Sequence, residues 1–185
     1  AAGDHSLARC LMDSAVRGEL AISPAAARDR DATALVVSKR CAVACAALAK
    51  LAQAPCRNAV IQGGFVKDSV VALRRLAAAA HAPASRVSYT VRSSRNARAE
   101  ALLGTLVSAT MYPDAQRALL DEPQTAELLL DLCHYYGAPQ QRSYSSPGGV
   151  DYTPTREPLY PGARARTASL LRNLALLRRN KGRIL

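Results

Sequence analysis

Apolar side chains recur along this chain at steps of three and four residues, the spacing of one face of an α-helix. In "ALAKLA" (47–52), "LLGTLV" (102–107) and "LLRNLA" (170–175), the pairs Leu48/Leu51, Leu103/Leu106 and Leu171/Leu174 each fall one helical turn apart. Small residues precede every stripe, as "CAVAC", "ARAEA" and "ARTAS". The pattern predicts long helices near 31–53, 95–110 and 163–178. A break and a short basic element follow each: "QAPCRNAVI", "MYPDAQRAL" and "LRRNKGRIL". After the first two, Gly or Pro releases a second apolar helix, "GGFVKDSVVALRRLAAAA" and "EPQTAELLLDLC". A medium helix over roughly 5–20, carrying Leu7, Cys10, Leu11 and Val16, precedes the first long one. One unit of long, short and medium helix therefore repeats, at offsets of 55 and 68 residues, which is the signature of a solenoid.

Local signals place the boundaries. Asp31 is the expected N-cap of the first long helix, and Ser93 or Ser94 that of the second. Gly63-Gly64 separates a short helix from a medium one, and Pro113 and Pro123 suit first helical turns. Two stretches interrupt the repeat. "AHAPASRVSYTVRSSR", near 80–95, is the smaller; "GAPQQRSYSSPGGVDYTPTREPLYPG", 137–162, is the larger and is dense in Pro, Gly, Ser and Tyr. Tyr135, Tyr136, Tyr144, Tyr152 and Tyr160 lie in or beside the larger one. Leaving aromatic rings in water without use is unfavourable, so Tyr144, Tyr152 and Tyr160 are the expected anchors of an insertion that folds over the solenoid edge or orders against a partner; a passive linker, for which Ser, Gly and Pro are the usual residues, is the alternative. The resulting division is an N-terminal helical and linker segment (1–30), repeats over 31–136, the insertion (137–162) and the start of a further repeat (163–185). "RNKGRIL" matches the place where "RNAVIQGG" opens a new short helix, so the array is expected to continue.

Composition sharpens this picture. Hydrophobic residues make up 49% of the chain, aromatics only 4%, and there is no Trp. The core must be built from Ala, Leu and Val, and the scarcity of β-branched and aromatic types favours an all-α fold. Twenty-five Lys and Arg oppose 14 Asp and Glu, a formal charge of +11 that favours acidic protein surfaces, RNA or anionic lipid. The plainer reading is an Arg-rich bias spread over a solvated surface. Five Cys (10, 41, 45, 56 and 133) follow no framework spacing and read as reduced thiols, which implies an intracellular compartment, whether cytoplasmic, cytoskeletal or organellar. The longest apolar run, "CAVACAALAKLA", is short for a membrane span and carries Lys50.

Catalytic chemistry finds little support. Cys41 and Cys45 share a helix face and Cys133-His134 are adjacent, but no Cys-x-x-Cys occurs, so core packing is the favoured reading of the thiols over a metal. His5, His81 and His134 stand in unrelated contexts, and "QGGF" and "SPGGVD" lack phosphate-loop spacing. The expectation is a protein without catalysis, cofactor, metal or small-molecule substrate. Basic residues remain: Arg172, Arg178, Arg179, Lys181 and Arg183 form a patch in the last unit, without interleaved aromatics that would stack bases.

The stretches "CAALAKLAQAPCRNAVIQGGFV" and "ASLLRNLALLRRNKGRIL" resemble armadillo repeats, with a degenerate middle copy that has "LLDEPQ" in place of the Gly-Gly hinge. The resemblance covers about 30–185 and implies a right-handed α–α superhelix, here a partial array of about three units. Armadillo units run ~40–47 residues, so the observed offsets require the insertions. In the family the long helices line a concave groove for extended peptides, with a Trp and an Asn four residues apart in peptide-binding members. The matching pairs here are Ala46/Lys50, Ala101/Thr105 and Ser169/Asn173, and only Asn173 is retained. That departure, with the positive charge, argues against a receptor for basic localisation signals. The groove implied by the resemblance presents Lys50, Arg98, Thr105, Arg166, Ser169 and Asn173, suited to an acidic or polar protein partner. The expected activity is a noncatalytic scaffold in a larger assembly; an RNA-contacting solenoid in a ribonucleoprotein is the alternative. No membrane partner is expected.

Overall fold

The structure, a computed structural model, describes residues 2–16, 29–53, 56–81, 88–134 and 161–184. Its elements are α1 (Ala2–Val16), α2 (Arg30–Leu51), α3 (Arg57–Gln62), α4 (Phe65–His81), α5 (Tyr89–Ala109), α6 (Pro113–Asp121), α7 (Thr125–His134), α8 (Pro161–Leu176), a 3-10 turn (Arg178–Asn180) and α9 (Lys181–Ile184). No strand occurs among the described residues, so the all-α class holds. The long–short–medium order of the sequence repeat is visible in α2–α3–α4 and again in α5–α6–α7.

Three long helices lie side by side: α5 packs between α2 and α8, and α1 covers the far side of α2. The medium helices α4 and α7 also touch, as do the short helices α3 and α6, so equivalent elements meet one another. One continuous core runs through the stack. Cys41, Ala44, Cys45 and Leu48 of α2, Leu73 and Leu76 of α4, Leu102, Leu103 and Leu106 of α5, Leu129 and Leu132 of α7, and Leu170 and Leu174 of α8 are all buried in it. Each buried Leu contributes about 1.5–3 kcal/mol of transfer free energy. Small side chains let the long helices approach closely, which explains the Ala- and Cys-rich stretches before each Leu stripe.

Several helix starts differ from the sequence reading, each for a local reason. α2 is capped by Asp29, whose carboxylate accepts from the amides of Asp31 and Ala32 at 3.1 and 3.0 Å. Asp31 sits in the first turn instead, where its carboxylate accepts from the Ser88 hydroxyl. Ser88 also caps α5, accepting from the Val91 amide at 3.2 Å. The helix thus begins six residues before the expected 95, Ser93 lies inside it, and Ser94 is buried in the core. Much of the smaller interruption is helical: α4 extends to His81 and α5 opens at Tyr89. Pro113 is the first residue of α6 as expected, whereas Pro123 falls in the turn before α7, where Gln124 adopts a φ of 55°. Gly64, at a φ of 89°, makes the break between α3 and α4.

By length and composition α2 also meets the requirement for crossing a bilayer, which the short apolar run in its sequence does not suggest. One face of it is packed into the core, and the other carries Lys39, Arg40 and Lys50. Residues 135–160, with Tyr135, Tyr136 and the anchor candidates Tyr144, Tyr152 and Tyr160, lie outside the described residues. Pro161 and Gly162, assigned to the insertion from sequence, are the first residues of α8.

Candidate functional site

The open face of the three long helices follows from which sides they bury. On α5, Leu102, Leu103, Thr105 and Leu106 point inward, and α2 is reached from one flank through Thr105. The other flank reaches α8, where Val107 accepts from Asn173. Ala97, Ala101, Gly104 and Ser108 recur at steps of four, three and four on the remaining side; Ala97 is exposed and the other three are half-buried. Their small size leaves the α5 backbone close to the surface. On α2 the side away from the core carries Lys39, Val43, Ala46 and Lys50, all exposed, with Val43 at 72%. On α8, Ala165, Arg166 and Arg172 are exposed, and a Cβ placed on Gly104 would lie 4.0 Å from Arg166 Nε.

The residues expected to line a groove therefore divide. Lys50 and Arg166 are exposed. Ser169 is half-buried and its hydroxyl donates to the Ala165 carbonyl at 3.0 Å. Arg98, Thr105 and Asn173 are buried in the seams beneath. The Thr105 hydroxyl donates to the Cys45 carbonyl at 2.9 Å, joining α5 to α2. Asn173 Nδ2 donates to the Val107 carbonyl at 3.2 Å and to Thr110 Oγ1 at 3.4 Å, joining α8 to α5. Placing these polar groups in a groove from sequence alone overlooks that a close-packed helix pair uses Thr and Asn to satisfy carbonyls across the seam. A second polar cluster extends the same logic: Asn180 Nδ2 donates to Gln116 Oε1 at 2.9 Å and to the Leu174 carbonyl at 3.0 Å, and Gln116 Nε2 donates to the Thr110 carbonyl at 2.8 Å. In the basic patch, Arg172 and Arg178 are exposed; the side chains of Arg179, Lys181 and Arg183 lie outside the described residues.

Charge is partitioned between the helices. α2, α5 and α8 together carry ten Lys and Arg against two acids, Asp31 and Glu100. α6 and α7 carry one arginine against four acids. The sequence reading treated +11 as a property of the whole chain; the helical assignment concentrates it on the long-helix layer.

Beneath that layer, Cys41 and Cys45 are both buried, with their sulfurs 3.9 Å apart. A hydrogen bond from Cys45 holds the Cys41 thiol below its usual range, helped by the Arg98 guanidinium, while burial opposes the shift. The same shared hydrogen bond, with burial, pushes Cys45 far up. Burial also raises Cys133, an effect that Arg164 partly offsets. Among the described residues no group of three or more His, Cys, Asp or Glu side chains could hold a metal ion. No family model, curated protein or solved structure matches the chain.

Proposed function

We propose that the chain is a noncatalytic scaffold of the armadillo type, a right-handed superhelix that engages an acidic protein partner along the open face of α2, α5 and α8 within a larger assembly. The observation that carries this reading is the charge partition: the three adjacent long helices hold ten cations against two acids, of which Arg98 is buried and Arg95 turns to the Ala79 carbonyl, while Lys39, Lys50 and Arg166 are exposed beside the small residues of α5. Such a surface steers an acidic segment by its field and lets it approach the α5 backbone without steric hindrance. The arrangement of like helices against like helices supports the repeat reading. A protein partner is favoured over RNA because Tyr89 is the single aromatic residue in α2, α5 and α8, too few for a base-stacking track.

The test is fluorescence anisotropy of the chain with labelled polyglutamate and, separately, labelled polyuridylate, at two salt concentrations. Polyglutamate binding is expected, weakened about tenfold or more by the Lys50→Glu/Arg166→Glu pair, since each reversal replaces attraction by repulsion. Tighter binding of polyuridylate, falling steeply with log salt, would replace this reading with the ribonucleoprotein one. No binding of either polymer would refute both.

A further inference from the structure

We infer that Cys41 and Cys45, backed by Arg98, form a buried site for one soft monovalent metal ion of the copper(I) type. The pair sits one helical turn apart on the core side of α2, with a sulfur–sulfur distance of 3.9 Å. A disulfide needs the sulfurs at ~2.05 Å and the Cβ atoms at roughly 3.5–4.5 Å. Residues four apart on an intact helix hold their Cβ atoms ~5–6 Å apart, so oxidation would require α2 to unwind locally. An ion between the sulfurs needs no such change: at the ~2.3 Å typical of a metal–thiolate bond it spans any gap up to about 4.6 Å. Zinc is disfavoured, because a structural zinc takes four ligands and no third candidate stands nearby among the described residues. Paired sulfur ligands select soft ions, copper(I) foremost.

Arg98 of α5 is 7% exposed, and its positive charge favours the thiolate form of Cys41 that a metal ion requires. Binding forms two sulfur–metal bonds, releases the thiol protons to solvent and moves no electrons. Thr105, donating to the Cys45 carbonyl, pins the α2 backbone at the ligand. This site is independent of the groove.

The experiment uses the whole chain as Cys10→Ala/Cys56→Ala/Cys133→Ala, so that Cys41 and Cys45 are the remaining thiols. Copper(I) is added anaerobically in competition with bicinchoninate, with circular dichroism read alongside. One ion per chain is expected, with a raised thermal midpoint. Adding Cys41→Ala or Cys45→Ala should weaken binding by about 100-fold or more, beyond the loss typical of a supporting residue. Should the triple variant fold poorly, the stoichiometry of wild type must fall by one ion in Cys41→Ala. Failure of the folded triple variant to take copper(I) from the competitor would overturn the inference. So would unchanged affinity after loss of either sulfur, or ready formation of a 41–45 disulfide under diamide with helix content retained.

Discussion

Thr105 shows how one hydroxyl can serve the fold where sequence matching assigns it to a ligand. Its proton serves one acceptor at a time, and the Cys45 carbonyl on α2, at 2.9 Å, is nearer than the Ala101 carbonyl at 3.1 Å. Thr105→Val keeps the shape and removes the donor, so it should lower stability to urea by about 1 kcal/mol, whereas Thr105→Ser should restore most of it. A midpoint unchanged in Thr105→Val would show that the seam does not depend on this bond. The cysteines give a second residue-scale expectation. Cys10 is exposed, Cys56 and Cys133 are intermediate, and Cys41 and Cys45 are buried. Alkylation followed by mass spectrometry should therefore label Cys10 first and the buried pair last. Cys133 carries a thiol pKa raised above the ordinary 9.0. Its contribution to stability is then fully present below pH 9 and lost as pH rises through the folded value. The urea midpoint should fall more between pH 8 and pH 10 in wild type than in Cys133→Ala.

At the scale of elements, the helix ends carry energy that can be measured separately from the core. Asp29→Ala removes the cap of α2 and should cost about 1 kcal/mol. Gly64→Ala meets no neighbouring atom within 4 Å, so its cost is that of the backbone alone at a φ of +89°, about 1–2 kcal/mol. Gly63→Ala is different, because a Cβ there would stand 2.6 Å from the Ala59 carbonyl and 3.0 Å from Met12 Cε; it should cost more than Gly64→Ala and loosen α1, which rests on this turn. An equal effect of the two glycine substitutions would contradict that contact. The helices themselves were legible from the Leu stripes, because three- and four-residue spacing survives in any context that buries one face. The caps were less so: Asp29 and Asp31 are chemically equal, as are Ser88, Ser93 and Ser94, and only the packing of α5 against α2 chooses among them. Of the residues expected to line a groove, Lys50 and Arg166 are exposed, while Arg98, Thr105 and Asn173 turn inward because adjacent long helices pack more closely than a one-dimensional pattern can express. The row of small residues Ala97, Ala101, Gly104 and Ser108 went unread, although its helical spacing stands in the sequence.

The whole molecule is a stack in which each long helix depends on the next for cover. α5 is sheltered on both flanks, whereas α8 has α5 on one side and leaves Leu176 73% exposed. Native-state hydrogen exchange should accordingly find the middle of α5 best protected and the segment from Leu176 to Ile184 opening at lower free energy. Slowest exchange in that last segment would mean that stability does not grow toward the centre of the stack.

Concentrating cations on one layer also has a mechanical consequence. Adjacent long helices bearing like charge repel along the open side, while the opposite side is held by leucine contacts, so the stack behaves as a spring loaded by its own field. Screening relaxes that load: the Debye length falls from ~30 Å at 0.01 M salt to ~8 Å at 0.15 M. Small-angle scattering should therefore record a smaller radius of gyration as salt rises, and a multivalent anion laid across α2, α5 and α8 should reduce it further. On this view an anion that neutralises the face would draw the long helices together as it binds.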